Sequence, residues 1–533
     1  MRRHSFIKIT LLVLLLGTHP GCQTLTQAAD APRPLQVDDY FAMKGVGNPL
    51  ISPDGNWVLY SVYTKDLEND RSDSHLWMVP TAGGEARPIT TKGWGHSWTP
   101  DSQHLTFTAR SKDQGSQIFK LDLYGSGERV QMTHIKGGIG SHRWSPDRKR
   151  LLLSIRDKNT DAPTIPWVID DLIFKQDYVG YIKHRPTHLY VLILETETTI
   201  YAMLEDDGRV DLVAVSVADG ALTRLIKGKV RVEDIAVAPN GSLVVSMSMP
   251  RLPGELFVLD PESSKPQPRR LTDVNGDLLN SIWLSEVEEL RFPTLDGTEI
   301  QTFVYKPQEF NPKRKYPAIL WLHGGQESQY DYGFNFRVQL FAAQGYVVVM
   351  PNVRGSGGRG LDFGLALNKA CGTKDVEDVI VATDYVIKQG YVDPGRLGIG
   401  GWLSGGTLAN FVIAKTQRFA GAISGASVGW YTSTYGHDPY YLWWHKELGA
   451  PWKNRDLWDR VSPFIYVENI TTPTLFIGGE KDWNQPMKHL GREAQLVVYP
   501  NAHHGIRKHS YQKDLLERFL GWFDKYVKGS SSD

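Results

Sequence analysis

Residues 397–414 read Leu397-Gly398-Ile399-Gly400-Gly401-Trp402-Leu403-Ser404-Gly405-Gly406-Thr407-Leu408-Ala409-Asn410-Phe411-Val412-Ile413-Ala414. The first five residues predict a buried strand, and the stretch from Thr407 predicts a helix. Between them lies a short glycine-rich turn. A strand that turns sharply into a helix is the form of a nucleophile elbow, whose strained crest needs small residues two places before and two places after it. Centred on position 403, Gly401 and Gly405 meet that need, but the crest is Leu403. Centred on Ser404, the residue two places before is Trp402, far too large. The stretch has the shape of the elbow without its nucleophile.

Working outward, a hairpin is expected from 290–292, the Asp296-Gly297 turn and 300–304. Apolar runs then recur at 318–322, 346–350, 397–401, 421–424, 474–477 and 495–499, each followed by a helical stretch. Such runs predict a mostly parallel sheet covered on both faces. Function in such sheets gathers on loops at the carboxyl ends of the strands. His323-Gly324-Gly325 occupies one of these ends, where glycine-rich backbone can aim N–H groups at a developing oxyanion. A second carries Asn352, Arg354, Gly355, Ser356, Gly357 and Gly358, a turn rich in donors. Asp482 follows the 474–477 strand, four residues before Pro486, and His504 follows the 495–499 strand in Tyr499-Pro500-Asn501-Ala502-His503-His504-Gly505. Elbow, then Asp, then His is the chain order of α/β-hydrolases. The expected roles are His504 as base and Asp482 as the group that orients it.

The first half repeats itself. Ser52-Pro53-Asp54-Gly55, Trp98-Thr99-Pro100-Asp101, Trp144-Ser145-Pro146-Asp147 and Ala238-Pro239-Asn240-Gly241 each lead into an apolar strand. Pro53, Pro100 and Pro146 are spaced 47 and 46 residues apart, and Pro239 lies 93 further on, two periods with a degenerate copy between. Second strands follow at 76–79, 118–121, 189–191, 212–215 and 256–259. A period in the forties with about four strands per unit predicts a β-propeller, here of about five units. The expected organisation is an all-β propeller over 39–285 followed by an α/β-hydrolase domain over 286–530.

Composition narrows the function. The 533 residues are 41% hydrophobic and 22% charged, with 59 basic and 59 acidic side chains, so no net field favours nucleic acid or an anionic membrane. Only Cys22 and Cys371 are present, which excludes a disulfide framework and a cysteine-rich zinc site. No cofactor or metal site is expected. Arg2, Arg3 and Lys8 precede an apolar run at 9–16 and a small, polar exit, the pattern of a secretory signal over 1–29. Cys22 after Gly21 is a candidate acylation site that would leave a lipid anchor, and cleavage near Ala28 or Ala29 is the competing reading. The expected location is exported, either periplasmic or secreted. No later stretch is expected to span a membrane, and oligomeric state is left open.

Together these motifs resemble the prolyl oligopeptidase family of serine peptidases, which includes acylaminoacyl-peptidase-like and dipeptidyl-peptidase-like enzymes. The resemblance covers nearly all of the chain after the leader. It implies a propeller that covers the active site and admits short peptides. It places the nucleophile at 403, the acid at Asp482, the base at His504, and oxyanion stabilisation at His323, Gly324 and the N–H of Ser404. It makes Trp430, Tyr431 and Tyr435, with Trp443 and Trp444, the pocket for the residue before the scissile bond; ordinary core packing is the alternative for these aromatics. Three departures stand out. The family reads Gly-Trp-Ser-Tyr-Gly-Gly where this chain has Gly-Trp-Leu-Ser-Gly-Gly. Only residues 483–494 separate Asp482 from the next strand, near the minimum for a crossover. The propeller is short of the family's seven or eight blades. Two functions are therefore expected to compete: a peptidase using Ser404, and a pseudopeptidase that retains peptide or partner binding.

Overall fold

The computed structural model describes residues 31–529 apart from 90, 92, 113–114, 126, 136–137, 145–150, 155–174, 177–179, 182–198, 239–240, 264–265, 326, 436–439 and 481–491. The expected leader with Cys22, the strand at 189–191, the turns at Pro146 and Pro239, and Asp482 lie outside the described residues.

The repeated turns owe their sequence to one hydrogen-bond pattern. Ser52 Oγ donates to the Asp54 carboxylate, which also accepts the Asn56 N–H at 3.1 Å. Thr99 does the same to Asp101, which accepts from Gln103 N at 2.9 Å. The turn is thereby closed by side chains before the strand begins. Two four-stranded antiparallel sheets follow: Gly45–Ile51, Trp57–Asp66, Arg71–Pro80 and Arg87–Ile89, then Trp94–Trp98, His104–Ser111, Gly115–Asp122 and Arg129–Gln131. Ser141–Trp144 pairs with Leu151–Ser154. The last blades are Thr199–Glu205, Val210–Ser216 and Leu222–Ile226, and then Arg231–Val237, Leu243–Met249, Leu252–Leu259 and Arg269–Arg270. The final blade abuts the first. Val244 and Leu256 share one core with Val46, Val58, Tyr60 and Val79. Lys44 and Asn275 exchange two hydrogen bonds across that seam, at 2.8 and 2.9 Å. The N-terminal half is thus a β-propeller whose ends meet.

The C-terminal half holds one eight-stranded sheet: β1 (Val287–Pro293), β2 (Glu299–Tyr305), β3 (Tyr316–Leu322), β4 (Val347–Asn352), β5 (Val392–Trp402), β6 (Gly421–Gly425), β7 (Thr474–Gly479) and β8 (Ala494–Tyr499), in the order β1-β2-β4-β3-β5-β6-β7-β8. The β1–β2 and β2–β4 pairings are antiparallel and the rest are parallel. Alternate strand residues feed separate cores. Leu320, Leu322, Val347 and Val349 pack on α2 (Lys374–Lys388) and α3 (Ser404–Lys415) through Val379, Val386, Phe411 and Val412. Ile319, Trp321, Val348 and Met350 pack on α1 (Phe336–Ala343) and α4 (His509–Phe523) through Phe341, Phe519 and Phe523. The predicted strand positions fall inside these elements except Tyr346, which precedes β4.

Several contacts tie the halves together, among them Ser72 with His509 and Arg231 with Asp331. The chain before the propeller does not hang free: Arg33–Pro34 pairs in parallel with Ile282–Trp283, and Leu35 and Met43 pack with Phe336, Leu340 and Leu516 of the hydrolase. On the other side, the blade turn at Asp206–Arg209 is gripped by the hydrolase. Asp207 N donates to Gly358 O at 2.7 Å, Gly208 N to Gln329 Oε1 at 3.0 Å, and Gln301 Nε2 to Asp207 O at 3.0 Å.

Candidate active site

The elbow forms at the carboxyl end of β5, and its crest is Leu403. This residue has φ 53° and ψ −118°, a conformation that side-chain-bearing residues avoid, and helix α3 begins at Ser404. The crest is held by Leu403 N donating to Gly425 O at 2.9 Å and Leu403 O accepting from Thr407 N at 2.9 Å. A Cβ on Gly401 would stand 2.7 Å from Leu322 O, and one on Gly405 would stand 2.7 Å from His323 O. Both glycines are therefore required by backbone packing, and both count from 403. Trp402 lies flat against β6, where a Cβ on Gly425 would collide with its ring, so Trp402 has a place of its own and cannot be traded for a small residue by shifting register. Ser404 stands in ordinary helical backbone one residue past the crest.

The turn after β3 reaches the crest. A Cβ on Gly324 would be 2.6 Å from Trp402 O and 3.3 Å from Leu403 Cβ, so only glycine lets the two turns approach. The first N–H groups of α3, beginning at Ser404, have no acceptor within the helix and open at this junction. His323 itself is turned elsewhere. Its Nε2 lies 2.8 Å from Ser356 Oγ, whose proton goes to Val353 O at 2.7 Å, so Nε2 carries the hydrogen and donates. Its ring meets Tyr330 edge-on at 5.2 Å, and Nδ1 has no hydrogen-bond partner among the described residues. Burial pushes the imidazole down to about 4, keeping it neutral near pH 7. What this turn offers an oxyanion is backbone, and the imidazole's work is to fix that backbone to the Ser356 loop.

The donor-rich turn after β4 proves structural. The Arg354 guanidinium is 3% exposed and forms a bidentate pair with Asp378 on α2, Nη2 donating to Oδ1 at 2.6 Å and Nε to Oδ2 at 3.1 Å. The Asn352 amide is fully engaged with Gln301 and Tyr330. Ser356, which locks His323, belongs to a pairing that sequence reading missed; the two residues sit on different strand ends, and only the topology brings them together.

His504 is brought beside the elbow, its ring meeting Trp402 edge-on at 6.5 Å between centroids. Asp482 lies outside the described residues. Of the aromatics, Tyr431 is 4% exposed in a cluster with Leu448, Trp458 and Val461, its ring 4.7 Å from Trp444. Tyr431 is thus packed inside a hydrophobic cluster. Trp430 stacks on Phe464, and Tyr435 bonds His445 Nδ1 at 2.8 Å while packing on Trp452 and Trp458. Among the described residues no group of three or more His, Cys, Asp or Glu side chains could hold a metal.

A propeller closed upon an α/β-hydrolase with its elbow, oxyanion turn and histidine loop assembled is the architecture of a propeller-capped serine peptidase. The comparisons with known proteins agree. Residues 332–530 match the prolyl oligopeptidase family. An uncharacterized peptidase of Bacillus subtilis, YuxL, is 26% identical, with 90% of each chain covered. Dipeptidyl-peptidase 5 of Porphyromonas gingivalis is 25% identical over 84% of this chain and 69% of its own. Acylaminoacyl peptidase of Pyrococcus horikoshii superposes with a TM-score of 0.80 at 19% identity, covering 93% of this chain and 98% of that one. Over residues 332–530 the chain is similar to the prolyl oligopeptidase family, and over most of its length it is similar to the peptidases just named.

Proposed function

We propose that this chain is a peptide-directed member of the prolyl oligopeptidase family in which acyl transfer is lost or severely weakened. The observation that carries the reading is Leu403 at the strained crest of the elbow. In an active enzyme of this type the crest hydroxyl attacks the peptide carbonyl, the histidine takes its proton, and the acid holds the imidazole. His504 and Asp482 would fill the last two roles here. A leucine side chain has no lone pair to attack with and no proton to surrender, so no acyl-enzyme forms at 403. Hydrolysis by a water activated at His504, with the Gly324 and Ser404 backbone at the oxyanion, is orders of magnitude slower. The relatives named as peptidases support short peptides as the ligands of the retained site. Export fits the pattern of residues 1–29, and the mass of the mature N-terminus after expression with its leader tests both export and acylation at Cys22.

Against the peptidase reading with Ser404 as nucleophile stand the contacts of Gly401, Gly405 and Trp402, which favour the register centred on 403. Assays with chromogenic aminoacyl and peptide substrates decide between the two. The unaltered protein is expected to show no turnover above Ser404→Ala, and Leu403→Ser to gain it. Turnover that disappears in Ser404→Ala would overturn the proposal.

A further inference from the structure

Beside the elbow, on the side of the histidine loop, lies a cavity of about 470 Å³ bounded by Trp402, Gly505, Phe334, Leu516, Tyr40 and Arg337. Its size falls within the range of about 300–1,000 Å³ typical of small-ligand sites. Its walls mix apolar side chains with the polar Asn335 and Gln512, and among the described residues its one charged side chain is Arg337, in the first turn of α1.

Arg337 is an unusual cation. Its guanidinium lies over the rings of Trp321 and Phe519, at 5.0 and 5.2 Å from their centroids. Nε is buried without a hydrogen-bond partner, and among the described residues no carboxylate pairs with the group. A buried charge left without an opposite charge is costly, and two aromatic faces offset only part of that cost. Burial lowers the pKa of the group, with the Tyr330 and Tyr40 phenols opposing, but a guanidinium keeps its proton near neutrality. The surroundings add positive charge. The Lys65 ammonium sits 4.4 Å above the Tyr40 ring and donates to Met43 O at 2.8 Å, with no carboxylate partner of its own among the described residues. Asp39, next to Tyr40, is committed to Arg33 and to Gln36 N, and Asp331, the nearest acid to Arg337 in sequence, pairs with Arg231.

We infer that this cavity binds a carboxylate joined to an apolar or aromatic body, with Arg337 receiving the carboxylate and the Trp402, Phe334 and Leu516 walls receiving the body. The planar fork of a guanidinium matches a carboxylate in two parallel hydrogen bonds. Two sources supply this chemistry: a small organic acid, and the C-terminal residue of a peptide. The site does not depend on whether position 403 can be acylated.

Isothermal titration of the full chain with N-acetyl-Gly-Gly-Phe, with the same peptide as its C-terminal amide, and with 3-phenylpropionate tests the inference. The acid is expected to bind about tenfold or more tightly than the amide, as loss of one charge-assisted pair implies. Arg337→Met is expected to abolish that preference while unfolding at the same or a higher temperature, because it removes an unpaired buried charge. If phenylpropionate binds as tightly as the peptide acid, the source is a free acid; if only the peptide binds, it is a peptide terminus. Equal binding of acid and amide by the unaltered protein would overturn the inference, as would a preference that survives in Arg337→Met. Should the variant fail to fold, thermal unfolding of the unaltered protein decides. A shift produced by the acid and not by the amide supports the inference, and equal shifts overturn it.

Discussion

Leu403 keeps a backbone conformation whose usual purpose is to raise a nucleophile out of a sheet. A side-chain-bearing residue held there costs on the order of 1–3 kcal/mol. The strain persists because its neighbours impose it: Gly401 and Gly405 touch the backbone of β3 and its following turn. Gly405→Ala should therefore destabilise the protein by about 3 kcal/mol, read from the urea midpoint. His323 makes a second prediction at this scale. Its folded pKa is depressed to about 4, below the ordinary value near 6.5, so between those values the unfolded chain takes up a proton that the folded chain refuses. Its contribution is complete above pH 6.5 and is lost as pH falls through that window. Between pH 7 and 5 the unaltered protein should lose about 1–2 kcal/mol more stability than His323→Asn, by urea unfolding at each pH. The anomaly at 403 was legible in the sequence because spacing alone decides which residue is the crest. The His323–Ser356 bond and the unpaired charge of Arg337 were not, since each depends on which distant residues the sheet brings alongside.

Among the elements, the turn is the most informative unit. The Ser/Thr-Pro-Asp signature marks propeller strands because hydroxyl and carboxylate close the turn before the strand starts. Thr294 and Asp296 use the same device, without proline, in the hairpin between β1 and β2. The blade turn at Asp206–Arg209 carries no such signature, and its partners at 301, 329 and 358 are all far off in sequence, so nothing local marks it as a contact. Gly208 has φ 76°, and a Cβ there would meet the Gln301 amide and the Phe303 ring at 2.7 Å. Gly208→Ala should cost about 2 kcal/mol. It should also speed proteolysis between the propeller and the hydrolase, and unchanged cleavage would deny that turn its role as a clamp.

For the molecule as a whole, periodicity announced both halves: a period in the forties for the propeller, and apolar runs alternating with helices for the hydrolase. The segment Arg33 to Met43 is too short to show a period, yet it packs on the hydrolase core and helps bring Tyr40 to the Arg337 cavity. The same architecture carries the proposal that a peptidase scaffold surrounds a crest unable to form an acyl-enzyme. Intact-mass analysis after exposure to a fluorophosphonate tests it most directly. The unaltered chain is predicted to gain no adduct and Leu403→Ser to gain one adduct on the new serine. An adduct on the unaltered chain that maps to Ser404 would contradict the account.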